Sequence, residues 1–483
     1  MDWASLYSLF VCVSYVSSTK LHEAARVKVT HEGITRFSFE NSNHTLMKLV
    51  GTSGNKIIWV GGNKVLYSIR PTQSSKPRQV NLSLCQDKGK DSNNSLCSLR
   101  ISLLREGVDG NLFICRKHDR NTECCDLGSD YSPINCFTSE HYEPDINEPS
   151  LLVNNMLYFT NSEKGLYRIN KNDKNDNIWP QANQAEQTYL KLIAGKGEDK
   201  VYSFFAEKHK SKDGEKWIAR VSQSCMNDKG GNKNVLQSSW TSTIYTRLFC
   251  GKDYEFTQMI DVATLDTDND TKMYALFKNY WNMSAVCVYS LTGISRIFSS
   301  SGFNAANVPP NPRPGTCVPD STRLSSEVLM FMKDRPEMKD SVMPENSPLL
   351  FRHHHYTHIQ VDRVRNHTVL LLSLESGGIH KVLEEPVFVI AEYLPFPRRT
   401  HITSMLLDAS EKRLYVSCSN EVVQIDLQRC EDYGDDCTQC SLSQDPYCIW
   451  NGLLCTSIAK APVQDFISCG KYSSVFVTGC FSH

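Results

Sequence analysis

Three stretches of this sequence carry residue types from which chemistry is built. Cys437-Thr438-Gln439-Cys440 has the CxxC spacing shared by dithiol redox centres and zinc knuckles. A redox pair needs a thioredoxin-like βαβ setting, and the sequence around it shows none. Zinc would need four ligands kept reduced, against the oxidising context argued below, so the pair reads as structural disulfide cysteines. Arg352-His353-His354-His355-Tyr356-Thr357-His358 is the one histidine cluster. On a strand, His353 and His355 share a face and His358 points the other way. No helical HExxH pattern accompanies them, so the cluster reads as the exposed start of a strand, gaining charge as pH falls toward about 6. Asp266-Thr267-Asp268-Asn269-Asp270 imitates a calcium loop. The imitation fails where the geometry is strict, with Thr271 in place of the turn glycine and Phe277 in place of the bidentate glutamate. GxSxG, Walker and Rossmann glycine patterns are absent. The expectation is a protein with no catalytic residue, no metal site and no cofactor.

The elements that would position such residues belong to a large, evenly charged chain. Its 483 residues hold 52 Lys+Arg against 53 Asp+Glu and are 40% hydrophobic. That excludes a disordered protein and gives no basic surplus for a nucleic-acid partner. Nineteen cysteines are a heavy load for a reducing compartment. Leu6 to Val13 is a short apolar run followed by Ser17 and Ser18. It is too short to span about 30 Å of hydrocarbon and reads as a signal peptide over 1–18, hence a secreted, extracellular product. Loss of Cys12 would leave 18 cysteines, an even number. Asn-x-Ser/Thr acceptors at Asn43, Asn81, Asn93, Asn269, Asn282 and Asn366 fit a glycosylated surface. No later apolar run or hydrophobic tail indicates a membrane anchor.

The periodicity is that of strands. Ile57-Ile58-Trp59-Val60 leads through Gly61-Gly62-Asn63 to Val65-Leu66-Tyr67, a hairpin pattern, because glycine accepts the positive φ such turns need. Pairs of the same kind recur at 156–169, 369–383 and 413–425. Loosely repeated hairpins over some 400 residues predict a β-propeller rather than a sandwich array, which would need linkers. Val235 to Phe249 is the best candidate for a helix. Seven cysteines crowd into residues 428–483, the density of a small domain held by bridges rather than by a core.

Several motifs together resemble the semaphorin family. Cys430-Glu431-Asp432-Tyr433-Gly434, Cys437-x-x-Cys440 and Asp445-Pro446-Tyr447-Cys448-Ile449-Trp450 resemble the passage from a sema propeller to a PSI module. Lys88-Gly89-Lys90-Asp91 between Cys85 and Cys97, Cys225-Met226-Asn227-Asp228-Lys229-Gly230-Gly231, and Asn311-Pro312-Arg313-Pro314-Gly315-Thr316-Cys317 are similar to further family segments. The resemblance implies an all-β chain with a seven-bladed propeller over 19–427 and a disulfide-rich PSI module over 428–483. It implies bridges Cys85–Cys97, Cys115 with Cys124 or Cys125, Cys250–Cys317, Cys430–Cys448 and Cys440–Cys455, with Cys437 closing onto Cys469 or Cys480. Cys225 lacks the usual downstream partner, and Ser441 stands where many members have a cysteine. The expected end directly after the PSI module is that of compact viral or class-seven members.

What the resemblance implies for function is a secreted ligand for plexin receptors in cell guidance, cytoskeletal control or immune-cell behaviour, acting as a homodimer. Lys229, Asn232, Lys233 and Gln237 are the candidate exposed receptor contacts, and Trp240 is expected in the core. The resemblance also leaves integrins open as partners, although the Arg-Gly-Asp tripeptide that some class-seven members use is absent. The alternatives are a non-signalling decoy or matrix- or glycan-binding glycoprotein, and a propeller hydrolase with convergent carboxylates near its axis.

Overall fold

A computed structural model describes residues 25–460 apart from 40–47, 54–55, 63–64, 72–75, 81–99, 108, 119–120, 129, 140–142, 182–184, 212–213, 252–255 and 352. The expected signal peptide, Asn43, Asn81, Asn93, Cys85, Cys97, Cys469 and Cys480 lie outside the described residues.

Seven antiparallel sheets follow one another along the chain. Their innermost strands are Lys48–Thr52, Arg100–Glu106, Ser150–Val153, Glu186–Ala194, Gln258–Asp266, Tyr356–Val364 and Ser404–Asp408. Each of these packs against the next, and the last returns to the first. The result is a closed ring, a seven-bladed β-propeller, here numbered blades 1 to 7. The apolar runs of the sequence are the second and third strands of each blade, covered on both faces by neighbouring blades. Ile57–Gly61 and Ile379–Leu383 are buried along their whole length, as two-sided burial demands of a strand.

The ring is closed by two strands from residues 27–38. Thr35–Ser38 pairs antiparallel with Glu421–Asp426, completing blade 7, and Val27–Thr30 adds in parallel to Phe388–Leu394 at the edge of blade 6. Strands from opposite ends of the sequence thereby share sheets, which removes the seam an open ring would leave. Arg36 reinforces the join through a 2.8 Å ion pair with Glu421 and a hydrogen bond to the Pro395 carbonyl.

The expected helix at 235–249 does not form. Leu236 and Ser238 take positive φ, and Ile244–Arg247 is the outer strand of blade 4. Hydroxyl-bearing and β-branched residues, which favour turns and strands, outweigh an apolar spacing that only mimics a helix. The longest helices among the described residues lie elsewhere, in a 291–348 insertion within blade 5. Leu291–Ser300 is capped by Ser290 and Ser326–Asp334 by Ser325, each hydroxyl accepting a backbone N–H three residues on. No helix among the described residues is long and apolar enough to cross a membrane.

The disulfides correct part of the expected pairing. Cys115 pairs with Cys124, and Cys125 with Cys136, on adjacent strands of blade 2. Cys250 pairs with Cys287 rather than Cys317, and Cys317 pairs with Cys225. The blade 5 insertion carries Cys317 to the end of the Gly214–Cys225 strand, while Cys287 stays in the blade 5 core beside Cys250. Cys418 is the one free cysteine among the described residues and is buried. Its sulfur contacts the Asn420 side chain, so the even count of 18 does not mean that every thiol is bridged.

After blade 7 the chain forms a short helix, Cys437–Leu442, and a hairpin, Cys448–Trp450 with Cys455–Ser457. Cys430–Cys448 and Cys440–Cys455 tie it together, and Cys437 is also disulfide-bonded. This is the architecture of a PSI module. It is seated on blades 6 and 7 by a buried ionic network. Lys381 and Asp445, each with 1% side-chain exposure, meet at 2.6 Å. Lys381 also donates to the Leu427 carbonyl, and the Tyr433 hydroxyl donates to Asp445. Tyr447 donates to Asp362, which is itself paired with Lys412.

Two outcomes follow from this packing. Asp445→Ala leaves Lys381 charged in a dry site and costs about 3–5 kcal/mol, with partial recovery in the Lys381→Met/Asp445→Ala double variant, measured by urea denaturation. His380 is 3% exposed, hydrogen-bonded to the Tyr356 hydroxyl and set edge-on to His354. Burial, and then the neighbouring His354, push its pKa down to about 4. An unfolded histidine takes its proton near pH 6.5, so the stability from neutral His380 is complete above that pH and is lost as pH falls toward about 4. The wild type is expected to lose about 2 kcal/mol more between pH 7.5 and pH 5 than His380→Gln does.

Candidate functional site

The segment from Met226 to Thr243 links the third and fourth strands of blade 4 and lies across to blade 3. Its sequence, rich in Asn, Gly, Ser and Thr, cannot bury enough apolar surface to order itself. What orders it is one carboxylate. Asp228 is 2% exposed and accepts hydrogen bonds from the backbone N–H groups of Gly230, Thr241 and Ser242 at 2.8–2.9 Å. The Thr241 and Ser242 hydroxyls add two more at 3.0 and 2.6 Å. The Ser321 hydroxyl, brought in on the blade 5 insertion, lies 3.2 Å from the same carboxylate and 2.8 Å from the Gly230 carbonyl. Five donors converging from two ends of one loop pin those ends together.

A buried guanidinium holds the other side. Arg168, on blade 3 and 1% exposed, donates to the Met226 and Asp228 carbonyls and to Asp176. Trp240 is buried as expected, its indole N–H donating to the Leu166 carbonyl at 2.7 Å. Trp179 N–H donates to the Ser238 carbonyl, completing the attachment to blade 3. Two glycines are required by contact. A Cβ on Gly231 would stand 2.1 Å from the Val235 carbonyl oxygen, and Gly230, at φ +79°, has Ser238 N at 2.8 Å from where a Cβ would sit. The Cys225–Cys317 bridge anchors the start of the loop to the insertion.

The four singled-out residues fall on this loop but not in one role. Lys229, Lys233 and Gln237 are exposed. Asn232 is only half-buried, not exposed, because its side-chain oxygen accepts the N–H groups of Asn234 and Val235 at 3.0 Å. It shapes the turn rather than offering itself outward. Asp228, Arg168 and Ser321 are the residues that sequence reading passed over. Asp228 lies inside the quoted 225–231 motif and Arg168 inside a predicted strand; burial was the missing signal.

The histidine run and the Asp266–Asp270 stretch lie elsewhere on the propeller. The histidine run precedes the strand, which begins at Tyr356; His353 and His355 are exposed, and His355 contacts the Asn282 carbonyl. His358 instead lines the axis cavity, where burial lowers its pKa. Asp266 to Asp270 is a tight turn, with Thr267 N–H bonded to the Asp270 carbonyl and Asp270 accepting from Thr292 at the helix start. Asn269, Asn282 and Asn366 are all exposed, in turns between strands.

Comparison with known proteins adds to this geometry. A family model of the Sema domain matches residues 257–409. Mouse Semaphorin-7A is 30% identical over 470 residues, covering 90% of this chain and 70% of the relative. The human protein is 31% identical over 466 residues, with 89% and 69% covered. The chain belongs to the semaphorin family. A solved structure of Drosophila Plexin A in complex with Semaphorin 1b shares the fold of this semaphorin, at a TM-score of 0.71 and 22% identity over 91% of this chain and 95% of that one.

The Asp228 junction makes a sharp prediction. Asp228→Asn turns an oxygen toward its donors into an NH₂ group and is expected to cost about 3 kcal/mol, whereas Ser321→Ala costs about 1 kcal/mol. Urea unfolding midpoints compare the two directly.

Proposed function

We propose that this semaphorin is a secreted, non-catalytic ligand that docks the Met226–Thr243 loop, across the rim of blades 3 and 4, onto a plexin ectodomain. The observation that carries the reading is the loop's construction: Lys229, Lys233 and Gln237 stand exposed on a backbone fixed by buried Asp228 and Arg168. A surface ordered before contact spares the partner the entropy of ordering it. Such recognition buries about 1,200–2,000 Å² in total and needs complementarity rather than a reacting group. The Plexin A–Semaphorin 1b structure, in which the same fold appears, supports plexins as the partner class.

In this reading residues 1–18 are removed on secretion, 19–427 form the propeller unit and 428–483 the PSI unit, with glycans on the exposed sequon asparagines. Homodimerisation presents two receptor sites at once and raises apparent affinity by avidity. The downstream effect is the receptor-borne control of guidance, cytoskeleton or immune-cell behaviour.

The test is binding of the purified protein to a panel of plexin ectodomains by surface plasmon resonance. Saturable binding to one plexin is expected, with Lys229→Glu/Lys233→Glu weakening it at least about tenfold at unchanged Tm. Binding untouched by the double charge reversal would move the interface to another face. No binding by folded protein would remove plexins as partners.

A further inference from the structure

The propeller axis holds a cavity of about 560 Å³ bounded by the inner strands of all seven blades, within the usual range for small-molecule sites. Its lining is unusual in charge. Lys48 from blade 1, Arg105 from blade 2 and Lys191 from blade 4 all line it. None of the three side chains makes a hydrogen bond or salt bridge among the described residues, and the Arg105 Nε is fully buried without a partner. Four carboxylates share these walls; none bonds directly to the three cations, although Asp261 acts at a distance on both lysines and Glu106 on Arg105. Asp261 accepts the N–H groups of Val262 and Ile359, the latter on blade 6. Glu106 accepts from Ser53, Asp145 is paired with Arg100, and Glu148 accepts from Thr160 and Ser162.

We propose that the axis cavity is a binding site for a small multivalent oxyanion, a phosphate, sulfate or di- or tricarboxylate, gripped by Lys48, Arg105 and Lys191. Three cations lining one cavity repel one another, a cost that an anion carrying two or more charges offsets. The guanidinium and ammonium donors suit oxygen acceptors of that kind. Burial lowers the pKa of both lysines, with Asp261 pulling the other way, and brings Arg105 down to about 10 against the pull of Glu106. Because the three come from different blades, a bound anion would join the ring across its axis.

The experiment is thermal unfolding of the full chain in phosphate, sulfate and citrate against chloride at matched ionic strength, with calorimetric titration alongside. A saturable rise in Tm with the preferred anion is expected, together with at least tenfold weaker binding for Lys191→Met and none for Lys48→Met/Lys191→Met. Should those variants fail to fold, the wild-type titration still decides, since absence of binding heat with all three anions at millimolar concentration overturns the proposal. An equal Tm rise in wild type and variants also overturns it, as a general salt effect.

Discussion

The pairing of Thr35–Ser38 with Glu421–Asp426 is the constraint on which the rest depends. A seven-bladed ring has no core of its own until the last blade meets the first, because each blade's inner faces are buried only by its neighbours. Closing blade 7 with a strand from the other end of the sequence makes every blade's burial conditional on one long-range contact. The same join brings the N-terminal strands to blades 6 and 7, where the PSI module is also seated. Arg26 reaches the Leu442 carbonyl and Gln439 there, and Arg429 reaches the Gly33 carbonyl. The strands at 27–38 and the module are therefore fixed by one region.

Within that frame, charge is used for geometry. Asp228, Asp445 and Asp362 are all buried, and each joins parts of the chain that are far apart in sequence. Asp228 fastens the rim loop, Asp445 receives Lys381 and Tyr433, and Asp362 receives Lys412 and Tyr447. Buried ionic contacts contribute little net stability relative to apolar packing, yet removing one partner is costly. They specify one arrangement more than they strengthen it. A ligand that works by presenting a fixed surface benefits from that kind of specification, since a loop or module that wandered would spend binding energy on its own ordering.

The sequence made the strands legible because two-sided burial writes itself as short apolar runs such as 369–372 and 414–416, broken by glycine and asparagine turns. Cysteine density likewise disclosed the PSI module. Less was legible at the candidate site. The exposed lysines at 229 and 233 stood out as charges in a polar loop, but Asn232 looks the same in sequence whether it faces solvent or caps a turn. Asp228 gave no sign of burial, and its role shows only once Gly230, Thr241 and Ser242, together with Ser321 from over 90 residues away, are brought around it. The exchange of partners among Cys225, Cys250, Cys287 and Cys317 was hidden for a related reason. Chain separation carries no distance once a 291–348 insertion folds back onto the preceding blade. The apolar spacing of 235–249 misled because helical periodicity does not register positive φ at Leu236 and Ser238.

The rim loop is proposed to be ordered beforehand and to be the surface that a plexin covers. Hydrogen–deuterium exchange of the protein alone and with an excess of a plexin ectodomain tests both halves at once. Slow exchange of the Gly230, Thr241 and Ser242 amides is expected in the free protein, because Asp228 holds them, with further protection across 226–243 on binding. Rapid exchange of those amides in the free protein, or protection confined to other blades in the complex, would contradict that proposal.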